Sequence, residues 1–166
     1  MITHVVSVSG VGAVETTKEE LRELVYALED RIKQAKQLEI SVEHNFADGL
    51  YSRRILIPAG CALTGKVHKQ NDLNIMLFGV MDVLTENGLK RMYGFNEFRG
   101  SAGIKQFGVA YEDTLWITVH HTHLTDLDEI EKELFEDEEC MFDFKTGRLM
   151  NNLVTTSCDR SLECQV

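Results

Sequence analysis

The sequence predicts a mainly β protein, an antiparallel sandwich or small barrel flanked by an N-terminal and a C-terminal α-helix. Between Gly49 and Val119, short strand-like runs follow one another about every 10 residues with no helical run among them, the pattern of an all-β sandwich or barrel. Two segments with helical apolar spacing and good capping residues stand outside that stretch. A barrel has a mouth, and a mouth can hold a ligand.

Turn residues bound the strands. Asp48-Gly49 precedes the run from Leu50 to Ile57, and Pro58-Ala59-Gly60 ends it. Asn87-Gly88 separates Val80–Thr85 from Leu89–Tyr93, and both residues tolerate the positive φ of a hairpin turn. Glu112-Asp113 reads as a further hairpin turn between Ala110 and Leu115. In the first helix, Thr16 and Thr17 are followed three residues later by Glu19 and Glu20, the spacing of a capping box. Leu21, Leu24, Val25, Leu28, Ile32 and Ala35 mark its apolar face, leaving Arg22, Glu23, Glu29, Lys33 and Lys36 for the remaining surface. The second helix starts at Thr125 or Asp126, with acidic residues in the first turn where the helix dipole favours them. Leu127, Ile130, Leu134 and Phe135 form its expected buried stripe.

The ends carry weaker signals. Ile2, Val5, Val6 and Val8 suggest a short strand before Gly10-Val11-Gly12. Glu15 stands where a dinucleotide fingerprint needs its third glycine, so that segment reads as a turn. Residues 144–166 have no periodicity and read as an irregular tail or draped extension. The organisation expected is a strand/helix extension over 1–37, the barrel over 38–125, an acidic helix over 126–143 and the tail over 144–166.

Composition narrows the function classes. No apolar run reaches the roughly 20 residues that span a bilayer, and Met1 to Val14 lacks the form of a secretory signal. Cys61, Cys140, Cys158 and Cys164 form no CxxC pair, which suits free thiols and a cytoplasmic protein. The net charge is −10, but Asp126 to Glu139 holds nine acidic residues against one lysine, leaving −2 elsewhere. Lys and Arg cluster only at Arg53-Arg54 and Lys90-Arg91, too sparsely for phosphate-backbone binding. Nucleic-acid and membrane partners are therefore not expected.

Histidines are the best candidate chemistry: His4, His44, His68, His120, His121 and His123. His68 ends one strand-like run and His120 ends another, and two histidines on different strands facing one barrel interior commonly build a divalent-metal site. Strand alternation puts His120 and His121 on opposite faces. His121 is the inward one if Leu115, Ile117 and Val119 face the core, whereas His120 shares the face of Trp116 and Thr118. No nucleophile stands out, since Gly-x-Ser-x-Gly is absent and no cysteine has a strongly activating neighbour.

The runs Leu38 to Tyr51, Ile57-Pro58-Ala59-Gly60 and Leu63 to His68 occur in order with Leu73-Asn74, Gly79, Leu84 to Gly88, Glu112 to Trp116 and Thr125-Asp126-Leu127. Together they resemble the small single-domain cupin-like proteins of bacteriophages and prophages over residues 38–135. The resemblance implies a cupin-like double-stranded β-barrel of the jelly-roll type. It also implies a host-cell cytoplasmic setting and, with the first helix offering an apolar face, a homodimer. Cupins usually place two histidines one residue apart, then a glutamate, with a further histidine in a second motif. Here Gln70 occupies the second histidine's place, Asp72 offers an oxygen ligand, and Gly100 to Gln106 keeps glycines but has no histidine.

The expected ligand-binding residues are His68, Asn74, Trp116 and His120, and the metal candidates are His68, Asp72 and His120. No catalytic residue is assigned, and the cofactor is left open with a divalent metal as the candidate. The leading expectation is a noncatalytic phage-type binding protein holding a small ligand, such as a host metabolite or signalling nucleotide, or a host protein. The alternatives are a metal-dependent cupin enzyme acting on a small polar substrate, and a virion or assembly protein that uses the acidic helix as a contact surface.

Overall fold

Side-chain alternation makes each strand of this chain two-faced, and two such sheets bury their inner faces against each other. The computed structural model describes residues 4–6, 14–35, 38–85, 88–138, 145 and 154–155. In chain order the elements are β1 (His4–Val6), β2 (Val14–Thr16), α1 (Lys18–Ile32), β3 (Val42–Ala47), β4 (Leu50–Ile57), β5 (Cys61–Thr64) and β6 (Asp72–Phe78). They continue with β7 (Val80–Thr85), β8 (Gly88–Tyr93), β9 (Asn96–Gly100), β10 (Phe107–Ala110), β11 (Thr114–His121), α2 (Leu127–Leu134) and β12 (Val154–Thr155).

The strand order identifies the fold. One sheet runs β3-β4-β11-β6-β9 and the other β12-β5-β10-β7-β8, and every pairing is antiparallel. Counting β4 to β11 as eight strands, one sheet takes the first, eighth, third and sixth, and the other the second, seventh, fourth and fifth. That is the jelly-roll order, so the barrel is the cupin-like double-stranded type. β3 and β12 extend the two sheets at their β4 and β5 edges, and β1 and β2 form a separate hairpin.

Local chemistry explains the turns. β3 and β4 form a tight hairpin in which Ala47 pairs with Leu50, and Gly49 supplies the positive φ of 75° that the turn needs. In the β7–β8 hairpin Thr85 pairs with Gly88, so the loop positions are 86 and 87, outside the described residues. The turn at Glu112-Asp113 is a correction to the sequence reading. β10 pairs with β5 and β7 while β11 pairs with β4 and β6, so this turn crosses between sheets instead of closing a hairpin. Asp113 pins the crossing by accepting a hydrogen bond from the Ala59 amide at 2.9 Å.

The helices depart from expectation in three places. Thr17 caps α1 in a capping box with Glu20, and Leu21, Val25 and Ile32 are buried, but Leu24 is exposed. Glu29, expected on the surface, is buried because Lys105 and Thr64 meet it. Lys105 Nζ lies 3.4 Å from Glu29 Oε2 and 3.3 Å from Glu138 Oε2, and the Thr64 hydroxyl donates to Glu29 Oε1 at 2.9 Å. A buried charge is tolerable when it is paired in this way. Asp126 caps α2 as expected, but the helix ends at Leu134, well short of 143. Phe135 turns extended and bridges to His68, and the acidic run Glu136-Asp137-Glu138 would oppose the dipole of a longer helix.

The tail contributes β12 beside β5, so 144–166 is not wholly irregular. Gly10-Val11-Gly12, Cys140, Cys158 and Cys164 lie outside the described residues. Among those described, no helix is long and apolar enough to cross a membrane. The main core joins Ile55, Ile57, Cys61, Met76, Met81, Val83, Met92 and Trp116 between the sheets, each large side chain contributing roughly 1.5–3 kcal/mol on burial.

Candidate functional site

The inward faces of β4, β11 and β6 stack in layers. Register places Tyr51 beside His120, Arg53 beside Thr118 beside Asn74, and Ile55 beside Trp116 beside Met76. Trp116, Thr118 and His120 are buried, while His121 is exposed. The parity left open by the sequence is thereby resolved: His120 faces the interior. Its strand delivers it to the end of the barrel where His68, on the β5–β6 connection, and Asp72, at the start of β6, also point.

These three side chains converge. One donor atom each from His68, Asp72 and His120 lies within 4.8 Å of the others, and all three residues are buried. His68 Nδ1 and Asp72 Oδ2 meet at ion-pair range. Beyond each other, neither of these two atoms has a partner, and His120 Nε2 has no hydrogen-bond partner at all. Buried polar atoms are rarely left so. A simple imidazole–carboxylate pair would leave His120 Nε2 unaccounted for, whereas one cation among the three atoms satisfies them all. Two imidazoles and a carboxylate suit a divalent transition metal.

A second set of residues holds the donors. Asn74, fully buried, donates from Nδ2 to Asp72 Oδ1 and accepts at Oδ1 from Trp116 Nε1 (3.0 Å) and Thr118 Oγ1 (3.2 Å). Its amide is thus locked, and with it one carboxylate oxygen, leaving Oδ2 for the centre. Gly100, paired with Asp72 on β9, makes room for this: a Cβ there would lie 2.0 Å from Asp72 Oδ1 and 2.7 Å from Asn74 Nδ2. Tyr51 stacks at 6.0 Å between ring centroids on His120, with His44 at 5.9 Å on its other side. His44 Nε2 donates to the Lys145 carbonyl at 2.9 Å, so its Nδ1 accepts from the Tyr51 hydroxyl at 2.8 Å. Burial raises the Tyr51 phenol further above its usual range.

Electrostatics keep His120 neutral. Burial, helped by nearby His68 and Arg53 and opposed by Asp72, pushes its pKa down to about 3. A neutral imidazole keeps the lone pair a metal needs.

All four expected ligand-binding residues lie on this side of the barrel, in different roles. His68 and His120 meet Asp72 at the centre. Asn74 positions Asp72 from behind. Trp116 anchors Asn74 and lines a separate interior cavity of about 50 Å³ with Arg53, Thr64, Gln106 and Thr118. Gln70 is exposed and takes no part. Sequence reasoning missed Gly100, Tyr51 and Phe135. Phe135 lies edge-on to His68 at 4.8 Å and near-perpendicular to His120 at 5.9 Å.

Fold and site together define an eight-stranded jelly-roll barrel with a buried two-histidine, one-aspartate donor set. No protein-family model matches the chain, and no curated protein does. Solved structures similar to it include cupin domains. The cupin domain of an XRE-family transcriptional regulator from Enterobacter cloacae shares 10% identity at a TM-score of 0.45, covering 51% of this chain and 98% of its own. KdgF from Halomonas shares 16% at 0.45, covering 53% and 82%, and the Cnp3 cupin domain of Schizosaccharomyces pombe 16% at 0.44, covering 70% and 78%. The fold assignment rests on the strand order, and the site on its own geometry.

Proposed function

We propose that this chain is a metal-centred binding protein, in which His68, Asp72 and His120 hold one divalent transition-metal ion at the closed end of the barrel. The observation that carries the reading is the convergence of three buried donor atoms within 4.8 Å, of which His120 Nε2 has no hydrogen-bond partner. When bound, such an ion supplies a Lewis-acid centre with open positions for an oxygen- or nitrogen-donor ligand. The chain's own residues do the rest. Asn74 fixes the carboxylate, Tyr51 and Phe135 wall the imidazoles, and His120 stays uncharged.

The groups packed on the donors favour holding a small ligand over turning it over. Two are aromatic rings, and the third is an amide with its oxygen and nitrogen both engaged. The resemblance to phage proteins adds a setting, a host-cell cytoplasm and a small host-derived ligand, together with a homodimer. For the dimer, the outer face of β4 and β6 offers exposed Leu50, Leu56, Leu73 and Leu77.

Elemental analysis of natively purified protein, followed by titration of metal-free protein with zinc(II) and cobalt(II), tests the centre. One equivalent per chain is expected, lost in His68→Ala and in His120→Ala. Wild type that takes up neither metal sinks the reading.

A further inference from the structure

One short stretch of chain packs an aromatic ring on two of the three donors. The 134–138 segment leaves α2 and lies antiparallel to residues 67–69: the Lys69 amide donates to the Leu134 carbonyl at 2.8 Å and the Glu136 amide to the Val67 carbonyl at 2.9 Å. His68 and Phe135 face each other across this bridge. The Phe135 ring, only 2% exposed, rests on both imidazoles. On its other side is an open cavity of about 540 Å³, lined by Phe135 together with Lys66, Lys69, Glu131, Lys132 and Lys145 among others. Phe135 is thus the residue shared by this open cavity and the donor centre. Between the donors and the interior cavity stands the hydrogen-bonded layer of Asn74, Thr118 and Trp116.

The fastening of the segment differs from that of the barrel. Two bridge amides hold it to 67–69, and its acidic side chains are tied by α1, by the buried Lys105 and by the Val67 amide. Arg22 pairs with Glu136, Tyr26 donates to Glu138, and the Val67 amide donates to Glu138 Oε1 at 2.6 Å. Both acidic anchors are reached from α1. Leu134 and Phe135 also pack with Tyr51 and Ile130, yet a short strap outside the sheets opens more readily than a strand embedded in one.

We propose that Phe135 and its 134–138 strap are the gate of the donor centre, so that metal and ligand reach His68, Asp72 and His120 from the open cavity by displacing this ring. The inference rests on the metal-centre reading, and the experiment separates the two. The full-length protein is compared with Phe135→Ala and with the double variant Arg22→Gln/Glu136→Gln, which loosens the strap without touching the core.

Two measurements are made. Cobalt(II)-loaded protein is mixed with a chelator and release is followed by absorbance. Metal-free protein is treated with diethylpyrocarbonate, and modification of His68 and His120 is read by mass spectrometry against exposed His121 as internal reference. In Phe135→Ala, cobalt leaves roughly tenfold faster at unchanged stoichiometry, the expected form of a barrier effect, and both buried imidazoles become reactive. The double variant moves both readouts in the same direction by less. Release and modification at wild-type levels in Phe135→Ala overturn the gate. If Phe135→Ala fails to fold, the double variant decides, and wild-type behaviour there overturns the gate equally. If wild type takes up no cobalt(II) but His68 and His120 gain reactivity in the variants, the metal reading fails and the gate stands.

Discussion

The two ends of this barrel are built from the same strands on opposite plans. At one end Ile55, Ile57, Met76, Met81 and Trp116 fill the space between the sheets with apolar volume. At the other, the same strands β4, β6 and β11 carry Tyr51, Asp72, Asn74, Thr118 and His120 inward. The apolar end gains stability from every buried methylene. The polar end gains little, because each buried polar group must first recover the hydrogen bonds it loses to water. On the proposed reading such a set is kept in the interior for what it binds, and the division along the strands separates folding from function by position.

Truncation at the apolar end is expected to have the largest effect on stability and the smallest on metal uptake. Ile57→Ala should cost about 2–5 kcal/mol, the usual range for such a cavity, measured by urea unfolding of metal-free protein. Zinc(II) stoichiometry in the folded fraction should stay at wild type. A loss of metal at Ile57→Ala would break the proposed division.

Asn74→Leu probes the seam between the ends. It removes the acceptor of Trp116 Nε1 and Thr118 Oγ1 and the donor to Asp72. Orphaned buried groups cost about 1–3 kcal/mol, and loss of a group that orients a metal ligand weakens affinity about 10–100-fold. Gly100→Ala should weaken metal binding in the same direction, since its methyl displaces the Asp72 carboxylate. Isothermal titration with zinc(II) reads both. A substitution that costs stability and leaves affinity intact would limit Asn74 to a packing role.

Acid sharpens the comparison, because His120 sits wholly in the polar end. Its pKa falls from 6.5 to about 3 on folding, so between those values the unfolded chain binds a proton that the native one does not. Native stability from this residue is therefore complete above pH 6.5 and falls as the pH drops toward 3. The slope for one such group is about 1.4 kcal/mol per pH unit. Urea melts of metal-free wild type and His120→Gln across that window should diverge by this slope or less. Parallel curves would show that His120 ionises in the native state.

The smallest effect belongs to the outside of the barrel. Arg54 and Glu43 pair across β4 and β3 in an exposed contact, and Arg54→Ala should cost about 0–1 kcal/mol in moderate salt. Leu73→Asp, on the outer face, should leave monomer stability close to wild type while lowering the mass seen by light scattering. A wild-type protein already monomeric at tens of micromolar removes the dimer.

Much of the fold was legible, because its signals are local. Thr17 with Glu20, Asp126 before an apolar stripe, and Asp48-Gly49 between alternating runs each act within four residues. Sheet membership was not legible. The turn at Glu112-Asp113 has the composition of a hairpin, yet it crosses between sheets, and turn chemistry fixes a local bend without choosing the strand's partner. The site was legible in part. His68, Asp72 and His120 could be picked out by residue type, but their meeting depends on β11 pairing with both β4 and β6. Gly100 read only as a motif glycine and Phe135 only as part of a buried stripe, since their importance to the site lies in what stands opposite them. Glu29 misled for the same reason: partners as distant in sequence as Lys105, 76 positions away, make its burial tolerable.

The pairing of β11 with β4 on one side and β6 on the other also sets an order of events during synthesis. β11 is the last barrel strand to leave the ribosome, and it fills the gap between two strands made some 40 to 60 residues earlier. Until it arrives, β4 and β6 have unpaired edges, the sheet is open, and two of the three donors wait without the third. Contacts of such sequence separation form slowly. The growing chain therefore holds no complete set of donors while its edges are exposed, and the strand that closes the barrel is the one that brings the third.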